Sequence, residues 1–222
     1  MTEPPGRGTR RRAQTRQRLL DAALAVVADA GLARTSVEAV CERAGYTRGA
    51  FYSNFATLDE VVSALFAQQA DALLAEVGAR LAEPDGTGPG SAGGPADLAA
   101  LVARVLDVLP RERTWQLVRT EFTAQALRDP AAAAALAAHR AALQARLAVL
   151  LTAGAERAGR RLGVPAPEAA QAVVAVHDGF STPALLAGPE DAATVRRLET
   201  DALTGVLLAL SSPLDGAAGS DR

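Results

Sequence analysis

Between Thr35 and Phe55 the sequence sets two short helical patterns on either side of a single glycine, Gly45, and few folds accept that arrangement. Thr35-Ser36-Val37-Glu38 reads as a capping box, in which the Thr35 hydroxyl accepts the Glu38 N–H and the carboxylate reaches back. The helix it opens turns Val37, Val40, Cys41 and Ala44 inward and stops at Gly45. There a positive φ allows a tight turn, and Ala44 is small enough for two helices to cross closely. Thr47 then caps a second helix reaching residue 55, with Phe51 and Phe55 one turn apart on its buried side. The opposite side carries Arg48, Tyr52 and Ser53. A helix divided in this way holds a core with one face and leaves the other free to enter a DNA major groove. Gly49, beside Arg48, costs about 1 kcal/mol against alanine in a helix. That cost makes sense where backbone must come close to a base or a phosphate.

The remainder follows a helical period as well. A first helix is predicted over 14–30, with Leu20, Ala23, Leu24 and Val27 as its apolar stripe, Gly31 as its stop and Leu32 folding back on it. Further helices are predicted over 57–81, 96–109, 113–128, 131–161, 167–186 and 192–210, with Pro110, Pro130, Pro165 and Pro189 marking breaks. Aromatic residues are only 4% and β-branched runs are short, which argues against a sandwich or barrel. The expectation is an all-α chain of nine helices without strands. Its parts are a flexible basic arm (1–12), a three-helix helix-turn-helix unit (13–56), a larger helical body (57–212) and a disordered tail (213–222). Residues 84–95 hold five glycines and three prolines and read as a linker within the body.

Charge follows the same division. Residues 1–56 carry nine arginines against five acids, a balance of +4, whereas 57–222 carry fourteen against twenty, a balance of −6. A basic head on an acidic body suggests that only the head meets a polyanion. All 23 basic residues are arginine, so phosphate contacts must come from guanidinium, hydroxyl, amide or backbone groups. Cys41 is the only cysteine, which excludes an intrachain disulfide and suits a reducing, cytoplasmic setting. Arg10-Arg11-Arg12 imitates the start of a signal peptide, but Asp21 and Asp29 interrupt the apolar run that would follow. No stretch reads as the eighteen or so apolar residues of a membrane span, so no membrane partner is expected.

No Ser-x-x-Lys, G-x-S-x-G, P-loop or His-Glu-x-x-His pattern is present, so no catalytic residue, cofactor or metal is assigned. A bare helical interaction module is the other rival reading. It leaves unexplained the Arg48-Gly49 start, the polar outer face and the charge division.

The run Cys41-Glu42-Arg43-Ala44-Gly45-Tyr46-Thr47-Arg48-Gly49-Ala50-Phe51-Tyr52-Ser53-Asn54-Phe55 resembles the signature of tetracycline-repressor-like (TetR family) regulators, and the likeness extends over residues 15–66. The resemblance implies a homodimeric, cytoplasmic regulator that binds double-stranded operator DNA and answers to a small-molecule effector. Repression is the family's commoner mode and activation the alternative. It further implies that Arg48 reads a base edge and that Gly49 lies against the groove. Tyr52 and Asn54 would meet phosphate, sugar or a thymine methyl, Thr35 and Thr47 phosphate, and Ser53 is a weaker candidate. The family usually places lysine where this chain has Leu58, so Arg10, Arg11, Arg12 and Arg16 are expected to supply the missing backbone grip. Phe66, Trp115, Glu121 and Phe122 fall where the family lines its effector pocket. His177 and Asp178 are polar intrusions in an apolar helix, and His177 is a further ligand candidate. The two C-terminal helices are apolar on more than one side, through Ala172, Val173 and Val176, then Val195, Leu198, Val206, Leu207 and Leu210. Such helices bury a second face against something, and a two-fold four-helix interface fits.

Overall fold

The computed structural model describes residues 7–83, 95–109 and 112–214. Among them are nine α-helices, one 3-10 turn and two short strands. The helices are α1 (Arg7–Ala30), α2 (Val37–Ala44), α3 (Arg48–Tyr52), α4 (Leu58–Ala82), α5 (Pro95–Val108), α6 (Arg113–Ala126), α7 (Pro130–Arg157), α8 (Ala166–Leu186) and α9 (Pro189–Ala209). The all-α class and the helix count agree with the sequence. The linker expected over 84–95 lies outside the described residues up to 94, and the tail expected over 213–222 lies outside them from 215 on, Pro213 being part of a strand.

By compactness the chain forms two units. The first takes the described residues up to Ala70 together with Glu112–His139, and the second takes the rest. Compactness groups α6 with the helix-turn-helix.

The first unit has a core of Leu19, Leu20, Ala22, Ala23, Val40, Cys41, Phe51, Phe55, Val61 and Leu65. On α1 these lie at helical spacing, so one stripe is buried and the other face stays wet. The helix closes at Gly31, whose N–H reaches Val27 O at 2.9 Å and whose φ is +82°. Leu32–Arg34 then makes the 3-10 turn. Leu58 packs against this core, which is where the apolar residue standing in place of a lysine goes.

In the second unit α8 and α9 lie side by side, and α5 packs on α9. Leu98, Val102, Leu106 and Leu203 form its core, with Val173, Val176, Leu207 and Leu208 packed against them. Part of the apolar surface on α8 and α9 is thus used within the unit, while Leu186 (74%) and Leu198 (46%) remain exposed.

Several local expectations need correction. The basic arm expected over 1–12 is helical from Arg7, since arginine is a good helix former and the Thr15 hydroxyl donates to Arg11 O at 3.0 Å. The second helix is capped by Ser36, which accepts Ala39 N–H at 3.1 Å, and not by Thr35. Thr35 instead ends the 3-10 turn and donates to Gly31 O at 3.0 Å. A reciprocal cap does occur at the start of α4, where Thr57 Oγ1 accepts from Glu60 N and Glu60 Oε2 accepts from Ala56 N. The helix opened by Thr47 is shorter than predicted and ends at Tyr52. Nor is the chain free of strands. Where a helix was expected to reach 161, α7 stops at Arg157, Gly159 turns with φ +64°, and Arg160–Leu162 pairs antiparallel with Ser211–Pro213. Buried Arg160 secures that pair by donating to Ser211 Oγ and Ser211 O, each at 2.8 Å. Finally, α7 is long and apolar enough to cross a membrane by length and composition, with a mean hydropathy of 1.2 over its best window. Alanine supplies much of that value, so it reflects many small methyl groups more than bulky apolar surface.

Candidate nucleic-acid interface

Three caps hold the reading element in place. Gly45 ends α2 in the left-handed region (φ +70°), and Tyr46 N–H reaches back to Cys41 O at 3.0 Å. Thr47 Oγ1 accepts Ala50 N–H at 3.2 Å and starts α3. At the far end Ser53 Oγ and Asn54 Nδ2 both donate to Ala50 O, at 2.9 and 2.8 Å. Phe51 is fully buried, touching Tyr52 edge-on and Phe55 at a tilt.

The outer side of α3 is open. Thr47, Arg48, Gly49, Tyr52 and Ser53 are all exposed, while Asn54 is half-buried with its amide turned to the helix end. Arg48 lies over the Tyr52 ring at 6.0 Å and forms an ion pair through Nη1 with Glu38 Oε1 at 3.0 Å. The hydrogen bond with Tyr52, then the Glu38 charge, push the guanidinium further above its ordinary range. Arg48 therefore stays charged. The sequence reading missed Glu38 in this setting, because it cast that carboxylate as a cap.

The four arginines expected to grip phosphate divide into two kinds. Arg10 and Arg11 are exposed on the first turns of α1. Arg12 Nη2 donates to Ser53 O at 3.2 Å, and Arg16 lies over the Phe55 ring at 4.9 Å. These two tie α1 to the end of α3, where carbonyls left unpaired by the helix welcome a cation. Tyr46 lies in the turn before α3, and its hydrogen bond with Thr15 is the main cause that lowers its hydroxyl below the usual phenol range.

Gly49 gives the sharpest local clue. A Cβ built there would meet only Thr47 Oγ1, at an ordinary 3.7 Å. Nothing among the described residues demands glycine there. Gly49→Ala is expected to stabilise the unit by about 0.5–1 kcal/mol in thermal or urea unfolding, yet to weaken duplex binding. An alanine variant that binds DNA as tightly as the parent would show that no backbone approaches the groove at this point.

Residues 19–65 match the model for bacterial regulatory proteins of the tetR family, and residues 95–208 match that for the C-terminal part of BetI-type transcriptional repressors. The chain belongs to the TetR family. It is accordingly a DNA-binding regulator of transcription, with the helix-turn-helix just described as its reading element. Solved relatives agree. A TetR-family member from Streptomyces coelicolor A3 is 30% identical, with 85% of this chain and 97% of that one covered and a TM-score of 0.59. The multidrug binding protein EbrR, solved with imidazole, is 29% identical, with 90% and 96% covered and a TM-score of 0.54. A TetR transcription regulator from Haloarcula marismortui shares the fold at 14% identity, with 90% and 100% covered and a TM-score of 0.63. No curated protein matches the chain at a significant level.

The residues of this TetR-family protein singled out for an effector fall in two places. Phe66, Trp115 and Phe122 form one aromatic group in the first unit, with ring centroids 4.9 Å (Phe66–Trp115) and 5.1 Å (Phe66–Phe122) apart. His139 joins them, stacked on Phe66 at 5.3 Å and 13°. Burial lowers the His139 imidazole below its ordinary range, which favours its neutral form. Sequence reasoning did not place His139 here, since the contact spans 73 positions between Phe66 and His139. Glu121 is exposed on α6 and accepts Leu32 N–H at 3.4 Å. His177 belongs to the second unit, where Nδ1 lies 2.8 Å from Oε1 of the buried Glu199. Its neighbour Asp178 pairs with Arg140 at 3.1 Å, so both polar intrusions in α8 have internal partners.

Proposed function

We propose that this TetR-family regulator is a homodimeric, cytoplasmic repressor that leaves a near-palindromic operator when a small apolar or aromatic effector binds. The exposed Arg48–Tyr52 face over a buried Phe51 is the observation that carries the DNA-reading part. In this reading 13–56 is the DNA-binding part and 57–212 serves effector binding and dimerisation. Arg48 presents its fork to guanine O6 and N7, Gly49 lets backbone approach, and Tyr52 and Thr47 meet the sugar-phosphate edge. Arg10 and Arg11 add backbone contacts from α1.

Repression is favoured over activation by the match of residues 95–208 to a repressor C-terminal model. Dimerisation through α8 and α9 is supported by exposed Leu186 and Leu198. It is supported too by open space around Gly179 and Gly205, where an added Cβ meets nothing within 4 Å. The 29% identical EbrR, described as a multidrug binding protein, supports a small organic effector. The Phe66, Trp115, Phe122 and His139 group offers flat rings to such a molecule. Phe122 shares α6 with Glu121, and the Glu121 contact to Leu32 lies one turn of chain from the start of α2. A ligand that displaced α6 would thereby bias the reading head, and DNA release follows from its differential affinity for the two head positions.

Fragments of the source genome captured by the purified protein test this directly. The expected sites carry two inverted half-sites with centres roughly 34–36 Å apart, about one helical turn. Binding is expected to weaken steeply with salt, by a slope of several ions. Capture of fragments without a repeated half-site, or a protein that stays monomeric at micromolar concentration, would overturn the dimeric reading.

A further inference from the structure

Glu38 stands in an unexpected place for a protein that must hold a polyanion. It is on α2, and its carboxylate meets Arg48 Nη1 at 3.0 Å on the exposed side of the reading head. Ser36 already caps α2, so the carboxylate has no capping duty to explain it. Both side chains are more than half exposed, at 63% for Arg48 and 59% for Glu38. Glu38 lies in the first turn of α2, where a carboxylate suits the helix dipole, but the exposed pair with Arg48 itself adds little stability. Arg48 also lies over the Tyr52 ring, at 6.0 Å.

We propose that Glu38 determines specificity by acting through Arg48, turning its guanidinium away from phosphates and toward a base edge. The proposal rests on the DNA-reading assignment of α3. An unpaired arginine at an exposed helix start binds any phosphate it meets, and such contacts supply most non-specific affinity. A carboxylate beside it cancels the charge that phosphates feel and repels them in its own right. Guanine recognition is not lost in the same measure, because it depends on directed donors. A guanidinium carries five N–H groups, more than Glu38 and Tyr52 together occupy. With Nη1 engaged by Glu38, the remaining donors are left for the paired acceptors O6 and N7. Glu38 is therefore a positioning residue for Arg48, and its effect is to lower affinity for the wrong sequences.

The test compares the full-length parent with Glu38→Gln and Glu38→Ala. Affinity for a selected operator and for a random duplex of equal length is measured at two salt concentrations, with thermal unfolding recorded alongside. Both variants are expected to bind random duplex on the order of three- to tenfold more tightly, with a salt slope steeper by about 0.9 for each phosphate newly met. The operator-to-random ratio falls accordingly, and preference for guanine at the base pair read by Arg48 relaxes, while the unfolding temperature drops by no more than the few degrees that loss of a first-turn charge predicts. Unchanged random-duplex affinity and unchanged base preference overturn the role. So does a parallel loss of both affinities together with a larger drop in unfolding temperature, which would make Glu38 merely structural. A parent that binds no duplex at any salt overturns the DNA-reading assignment itself.

Discussion

Phe51→Ala is expected to destabilise the first unit by about 3–5 kcal/mol, the range for removing a fully buried phenylalanine without room to collapse. Phe51 has no exposed surface and contacts both Tyr52 and Phe55 within the core that joins α1, α2 and α3. Few single positions bind so many elements of so small a unit. A loss of this size is comparable with the whole stability of many domains, so DNA binding would fall with it. Trp115 makes the measurement simple. It is the only tryptophan and packs against the same core, so its fluorescence in urea reports this unit alone. A midpoint shift equivalent to less than about 1 kcal/mol would mean that Phe51 is not the wedge its burial implies.

Arg48→Ala separates recognition from folding. The guanidinium is exposed and its ion pair with Glu38 is a surface pair, so stability should move by no more than about 0.5 kcal/mol. Operator affinity should fall by about 1–3 kcal/mol, or roughly 5- to 150-fold, and discrimination at a single base pair should relax. Selection of bound sequences by the variant reads this out at each position. If binding weakens equally for every duplex and base preference stays intact, Arg48 is a phosphate contact and the base-reading role is wrong. The two substitutions lie only three residues apart and predict opposite profiles, because Phe51 is sealed in the core while the Arg48 side chain, at the start of the same short helix, stays in solvent.

Much of the reading head was legible because its determinants are local. Gly31 and Gly45 end helices, Thr47 begins one, and the Phe51–Phe55 spacing marks the buried side, all within one helical turn of the groups they serve. Cap assignment was less secure, since Thr35 and Ser36 are adjacent hydroxyl residues and either satisfies the pattern. Ser36 takes the part because the 3-10 turn draws Thr35 back to Gly31. The strand at Arg160–Leu162 could not be foreseen, because its partner lies some fifty residues on, at Ser211–Pro213. Two three-residue strands carry no periodicity of their own.

What the amino-acid order determined alone is therefore the helical class, the turn at Gly45 and the polarity of α3, since caps and 3.6-residue periodicity act over three or four positions. Tertiary structure decided the rest: that Glu38 faces Arg48, that Arg12 and Arg16 fasten α1 to α3, that His139 stacks on Phe66, and that His177 answers Glu199. Those pairs join residues 10 to 73 positions apart, counting Glu38–Arg48 as the nearest and Phe66–His139 as the farthest. Separations of that length are bridged only when helices cross, and crossing is set by packing of the whole unit.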